Sequence, residues 1–127
     1  MAHLSSTHAL EPAAGPVLTK ATLRAARGLG LSGAELAAAL GVSEATVSRL
    51  KQGTVALDSG SKPFELAVLI VRLYRSLDAI LGGDEAARRA WMASFNTALG
   101  RTPREAVRTV TGLVDVLAYL DARRAVV

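Results

Sequence analysis

Apolar residues recur along this chain at intervals of three and four, the period of a helix with one buried face, and no stretch alternates with the period of two that marks a strand. Ala, Leu and Arg, all good helix formers, dominate. The pattern predicts seven helical segments and an all-α fold. The first covers about Leu18 to Ala26 and fades at "RGLGLSG". The second starts after Ser32, where "SGAE" reads as a capping box, and stops at Gly41, a residue suited to a left-handed cap. The third starts after Ser43 and stops before Gly53. "GTVALDSGSKP" then reads as a loop, rich in turn formers and long enough to separate modules. Pro63 suits the first turn of a fourth helix that runs to about Leu81. A fifth, capped by Asp84, runs to about Leu99; Thr102 and Pro103 start a short sixth; the last covers about Thr111 to Arg123. These segments divide the chain into a flexible arm over 1–17, a helix–turn–helix module over 18–60, a linking and dimerisation core helix over 61–83, and a small helical module over 84–127.

The stretch "ELAAALGVSEATVSRLKQG" holds two short amphipathic runs that meet at Gly41. Leu36 and Leu40 share one face, Val47 and Leu50 share another, and Val42 sits in the turn between them. The small Ala37 permits close approach of the second helix. A tight helix–turn–helix with one buried seam follows. The outer face of its second helix, with its Ser43 cap, carries Glu44, Ala45, Thr46, Ser48, Arg49 and Lys51. A helix with so low and polar a relief can enter a DNA major groove, with Arg49 on guanine or phosphate and Ser48 and Thr46 able to serve either purpose. The same pattern also fits a bare helical hairpin with a solvated face. The fourth segment, "FELAVLIVRLYRSLDAIL", is apolar around most of its circumference. Such a helix needs cover on more than one side, as a central core helix, in a homodimer interface, or both. Beyond it, Trp91, Phe95, Leu99, Val107, Leu113, Val114, Leu117 and Leu120 are the core candidates of the last module.

Charge adds less than its total suggests. The net +4 of the 127 residues lies mostly in the second half, and residues 1–60 hold five Lys/Arg against four Asp/Glu. With only Arg49 and Lys51 against Glu44 on the candidate recognition helix, few phosphates would be neutralised and each monomer should bind weakly. Tight operator binding would need a dimer or a larger assembly. Half the chain is apolar, enough for a core without staples, and the absence of cysteine excludes disulfides and thiolate chemistry and fits a reducing cytoplasm. No run is long enough to span a membrane, and "MAHLSSTHALEPAAGP" lacks the build of a signal peptide. No catalytic constellation is visible. His3 and His8 lie in the expected arm, and "GLGLSG" has no preceding strand and no following Lys-Ser/Thr. The expectation is a non-enzyme without cofactor or metal.

The residues Leu36, Ala37, Gly41, Val42, Val47 and Leu50 within "LSGAELAAALGVSEATVSRLKQG" resemble the framework of the helix–turn–helix in phage-repressor (Xre-like) regulators. Downstream, Trp91, then Asn96, Leu99-Gly100, Thr102-Pro103 and a final helix containing Gly112 are similar in order and spacing to the toxin-binding domain of Xre/MbcA/ParS-type antitoxins. Members of that family partner toxins of the RES fold, which consume NAD or transfer its ADP-ribose. The resemblance thus implies a C-terminal toxin-binding module that blocks such a toxin's cleft, a helix–turn–helix that represses the operon, and contacts at Trp91, Asn96, Arg101, Arg123, Arg124, Val126 and Val127. The end "LDARRAVV" departs from the glycine and short apolar close common in the family. A stand-alone dimeric helix–turn–helix transcriptional regulator and a pure protein-interaction module are the other readings. A neighbouring gene for a RES-type protein separates the first from the second, and DNA binding separates it from the third.

Overall fold

The computed structural model describes the backbone of residues 2–126 and the side chains of residues 14–125. Seven helices follow one another: α1 (Ala2–Leu29), α2 (Gly33–Leu40), α3 (Glu44–Gln52), α4 (Lys62–Ile80), α5 (Glu85–Ala93), α6 (Pro103–Ala106) and α7 (Val110–Val126). No strand forms among the described residues, only a single bridge between Asn96 and Arg101. The caps lie where the sequence places them. Ser32 and Glu35 complete the capping box of α2, and Gly41 closes it with φ at 71°, a conformation that costs other residues a steric penalty. Ser43, Asp84 and Thr102 cap α3, α5 and α6, and Ser61, which the sequence reading did not single out, caps α4 ahead of the expected Pro63.

α4 is the central element. Leu66, Ala67, Ile70, Leu73 and Leu77 are buried on it, and α1, α2, α5 and α7 pack around it. Its wide apolar circumference is therefore covered mainly by the chain's own helices. Among its large apolar residues only Val68, 44% accessible, stands exposed. All seven helices share one apolar core, in which Ala25 and Leu29 of α1 and Leu36 and Leu40 of α2 join Met92, Val107, Leu113, Val116 and Leu120. No solvent gap separates an N-terminal from a C-terminal module.

Three expectations need correction. Helix α1 begins at Ala2, where a flexible arm over 1–17 was expected. Its described portion already packs at Gly15, where a β-carbon would collide with the Leu57 carbonyl. One turn on, the Thr19 hydroxyl donates to the Gly15 carbonyl at 2.7 Å and accepts from the Leu57 amide at 2.9 Å. The loop after α3 is thus docked on the very segment expected to be an arm. Second, α5 ends at Ala93, six residues before the expected Leu99. Asn96 takes the following amides onto its own oxygens and turns the chain. Third, Phe95 and Val114 are 67% and 49% accessible, not core. Phe95 falls in that turn, and Val114 lies on the open side of α7, away from the buried Leu113 and Leu117.

Candidate functional site

The first candidate surface is α3. Val47 and Leu50 bury its inner side against α2, as their spacing requires, with Val42 packed against the same core. Ser43, Glu44, Ala45, Ser48, Arg49 and Lys51 are exposed and Thr46 is half-buried. Ser43 and Thr46 are committed to the cap: Ser43 Oγ accepts from the Thr46 amide at 3.1 Å and lies 3.0 Å from Thr46 Oγ1. Their hydroxyls can still face a phosphate, but the cap fixes their orientation. Ala45, Ser48 and Arg49 recur at helical spacing on one side, and no charged group of the protein pairs with Arg49 among the described residues. Lys51 reaches back toward the start of α2, with Nζ beside Gly33. The exposed polar side of α3 is thus a short helix face with one unpaired guanidinium at its centre and a lysine at its edge.

The second surface lies between α5 and α7. Asn96 builds the turn that separates α5 from α6. Its amide donates to the Arg101 carbonyl at 3.1 Å, its own carbonyl accepts from the Leu99 and Gly100 amides, and its side-chain oxygen accepts from the amides of Ala98 and Leu99. This stapled turn presents Phe95 outward. Arg101 lies over Gly112, where a β-carbon would meet its Nη2 at 2.8 Å and collide with the Ala106 carbonyl. Gly112 is therefore the point at which α7 passes close to α6. Trp91 is half-buried and stacks on Tyr119, ring centroids 6.1 Å apart. Arg123 covers Tyr119, its guanidinium carbon 5.6 Å from the ring centroid and Nη1 donating to the phenol oxygen at 3.2 Å. Such a face suits an apolar partner edged with carboxylates.

The sequence-derived contact residues thus fall into groups. Asn96 and Arg101 join one turn; Trp91 and Arg123 meet through Tyr119. Arg124 points elsewhere and donates to the buried Ser76 hydroxyl of α4 at 3.2 Å. Val126 and Val127 lie outside the residues whose side chains are described. Tyr119 and the exposure of Phe95 were missed. Tyr119 sits at a helical spacing from Arg123 that signals such a pair, whereas Phe95 reads as core on any apolar count.

Also missed was a link between the halves. Arg104 of α6 grips Glu35 of α2 with two hydrogen bonds, Nη2 to Oε1 at 2.8 Å and Nε to Oε2 at 3.2 Å. Burial alone would push the Glu35 carboxyl up, but the hydrogen bonds from Arg104 and from the Ser32 amide, with the Arg104 charge, hold it below its ordinary value. Arg104 is raised in turn, chiefly by its hydrogen bond to Glu35. On the other side of the α1–α2 junction, Arg89 Nη2 donates to the Arg27 carbonyl at 2.7 Å and Arg88 Nε to that of Gly28 at 3.4 Å. Arg88 is buried and also pairs with Asp78.

Among the described residues, no group of His, Cys, Asp and Glu could hold a metal ion, and no helix is long and apolar enough to cross a membrane. Two family models match the chain. The antitoxin Xre-like helix-turn-helix domain covers residues 8–72, just over half of it, and the antitoxin Xre/MbcA/ParS C-terminal toxin-binding domain covers residues 76–125. The change from one match to the other falls inside α4. A search of curated proteins returned no match.

Proposed function

The chain belongs to the Xre-like antitoxin family, and from that premise we propose that it blocks the active-site cleft of a RES-type, NAD-consuming or ADP-ribosylating toxin and represses its own operon. It acts by binding, not by catalysis, and works in the cytoplasm. The observation that carries the toxin half is Phe95, a large aromatic held outward on a hydrogen-bonded turn inside the span that matches a toxin-binding domain. An exposed aromatic is the type of side chain that anchors an interface. With it the reading assigns toxin contacts to Trp91, Asn96, Arg101 and Arg123, and further contacts to Arg124, Val126 and Val127. The DNA half rests on α3, with Arg49 as the base-reading or phosphate-holding residue and Ser43, Glu44, Ala45, Thr46, Ser48 and Lys51 around it.

The test is co-expression with the product of the adjacent gene. The expected result is a co-purifying complex in which NAD consumption by that product falls as the antitoxin is titrated in. A free partner with undiminished activity overturns the reading.

The homodimer belongs to this proposal too. Among the described residues, α4 keeps one exposed large apolar side chain, Val68, and the dimer contact is assigned to the groove of about 570 Å³ beside it, where α1, α4 and α7 meet, floored by Val17, Leu18, Val68 and Val71 and edged by Arg72, Arg75 and Arg124. Val17 is 67% accessible there. Light scattering at micromolar concentration should give the mass of two chains for the wild type and of one chain for Val68→Glu. A monomeric wild type sinks the dimer and favours assembly only on DNA or toxin.

A further inference from the structure

Three arginines of the toxin-binding half hold the α1–α2 junction of the DNA-binding half. Arg88 and Arg89 take the last carbonyls of α1, at Gly28 and Arg27, where the negative end of the helix dipole favours cations. Arg104 takes the Glu35 carboxylate at the start of α2. Glu35 is already oriented, because Oε1 also accepts from the Ser32 amide at 2.8 Å in the capping box. The pair is bidentate and Glu35 is largely enclosed, the setting in which an Arg–carboxylate contact fixes direction as well as distance. The linkage onward is short on both sides. Only Gly41 to Ser43 separate α2 from α3, so the placement of α2 sets that of the recognition helix. Only Thr102 and Pro103 separate Arg104 from Arg101, whose carbonyl closes the Asn96 turn beside Phe95. Arg104 is itself held in a capped turn, since Thr102 and Glu105 on either side of it form a capping box.

We propose that Arg104 is a positioning residue for operator recognition, acting through Glu35, and that this ion pair couples operator binding at α3 to occupancy of the Phe95–Arg101 turn. The inference rests on the antitoxin reading above and adds a regulatory link to it. Coupling between two sites is reciprocal, so a partner that displaces the turn alters DNA affinity by the same factor by which DNA alters partner affinity.

The experiment uses the full chain and three variants: Arg104→Gln, Glu35→Gln and the double variant. Glutamine at position 35 preserves the capping box of α2, so its cap survives while the charge pair is lost. Affinity is measured for the DNA immediately upstream of the gene and for a scrambled duplex of equal length, with melting temperature recorded in parallel, and both titrations are repeated with the adjacent gene product bound. Each single variant should lose about threefold or more of the preference for upstream over scrambled DNA, with scrambled-DNA affinity unchanged. The double variant should be no worse than either single one. The change in operator affinity caused by the adjacent gene product should shrink toward unity in all three.

An Arg104→Gln chain that keeps the wild-type preference and the wild-type response to the partner overturns the inference while leaving the antitoxin reading intact. So does an equal loss on both duplexes that follows melting temperature, which is the mark of a merely structural contact. A wild-type chain without preference for the upstream DNA overturns the operator reading and the coupling together.

Discussion

Arg49 is the arginine on the open side of α3, with a guanidinium able to make a bidentate contact with guanine, and no acidic group of the protein occupies it among the described residues. Arg49→Ala is expected to weaken operator binding by about 1–3 kcal/mol in a gel-shift titration. Toxin neutralisation should persist, because Arg49 touches neither the Asn96 turn nor the Glu35–Arg104 pair. Loss of neutralisation with DNA binding retained would reverse the assignment of surfaces. Phe95 is the corresponding residue on the other surface. Its exposure means that Phe95→Ala removes little buried area, so the melting temperature should hold. Affinity for the toxin should drop by about 2 kcal/mol, the scale of an interface anchor, in a calorimetric titration. At this scale the sequence was legible wherever a residue's role is local. Ser32, Glu35, Gly41, Ser43, Asp84 and Thr102 cap helices as their types require. It was not legible for Phe95, because an aromatic held outward for a partner has the same composition signal as one held inward for a core.

Helices were readable from period and caps, and their ends were readable only when a cap residue marked them. Ala98 and Leu99 are good helix formers, so propensity carries α5 past its true end. Asn96 overrides propensity because its side-chain oxygen offers those amides a nearer partner than the helix does. That tendency of Asn is known from residue type, yet its outcome depends on Arg101 being in place to close the bridge. The link between α2 and α6 joins residues too far apart in sequence for any spacing rule to connect. Its electrostatic signature is testable between these two elements. The Glu35 carboxyl is held below its ordinary 4.5 in the folded chain, so its contribution to stability is complete above that pH. The contribution disappears as pH falls through the lowered folded value, since an unfolded chain then binds the proton first. The stability difference between wild type and Glu35→Gln should therefore stay constant from pH 7 down to about 4.5 and narrow below it. Denaturant melts at a series of pH values measure it. A difference that is flat down to the acid limit would mean that Arg104 does not hold Glu35 ionised in solution.

The whole molecule departs furthest from a sequence reading, which divides it at a loop after α3 into modules joined by a linking helix. In the structure that helix is the centre. Ala25 and Leu29 from α1, Leu36 and Leu40 from α2, and Leu113, Val116 and Leu120 from α7 belong to one core around it. The division was drawn from Gly, Ser and Pro in the loop, which do report a turn. They say nothing about whether the chain returns to the same core after the turn, and here it does. A test follows from the single tryptophan. Trp91 stacks on Tyr119 in the C-terminal half, so its fluorescence reports that half, whereas far-ultraviolet circular dichroism reports all seven helices. If the modules were independent, the two probes would give separate denaturation midpoints. One core, with arginines of α5 and α6 holding α1 and α2, requires a coincident transition. The isolated segment 1–60 lacks α4, and with it the apolar surface that covers Leu29, Leu36 and Leu40 from one side. It should show residual helix without a cooperative melt. A sharp transition in that fragment, or distinct midpoints in the full chain, would mean that the shared core adds contact without cooperativity, and the coupling inferred between toxin and operator surfaces would lose its mechanical basis.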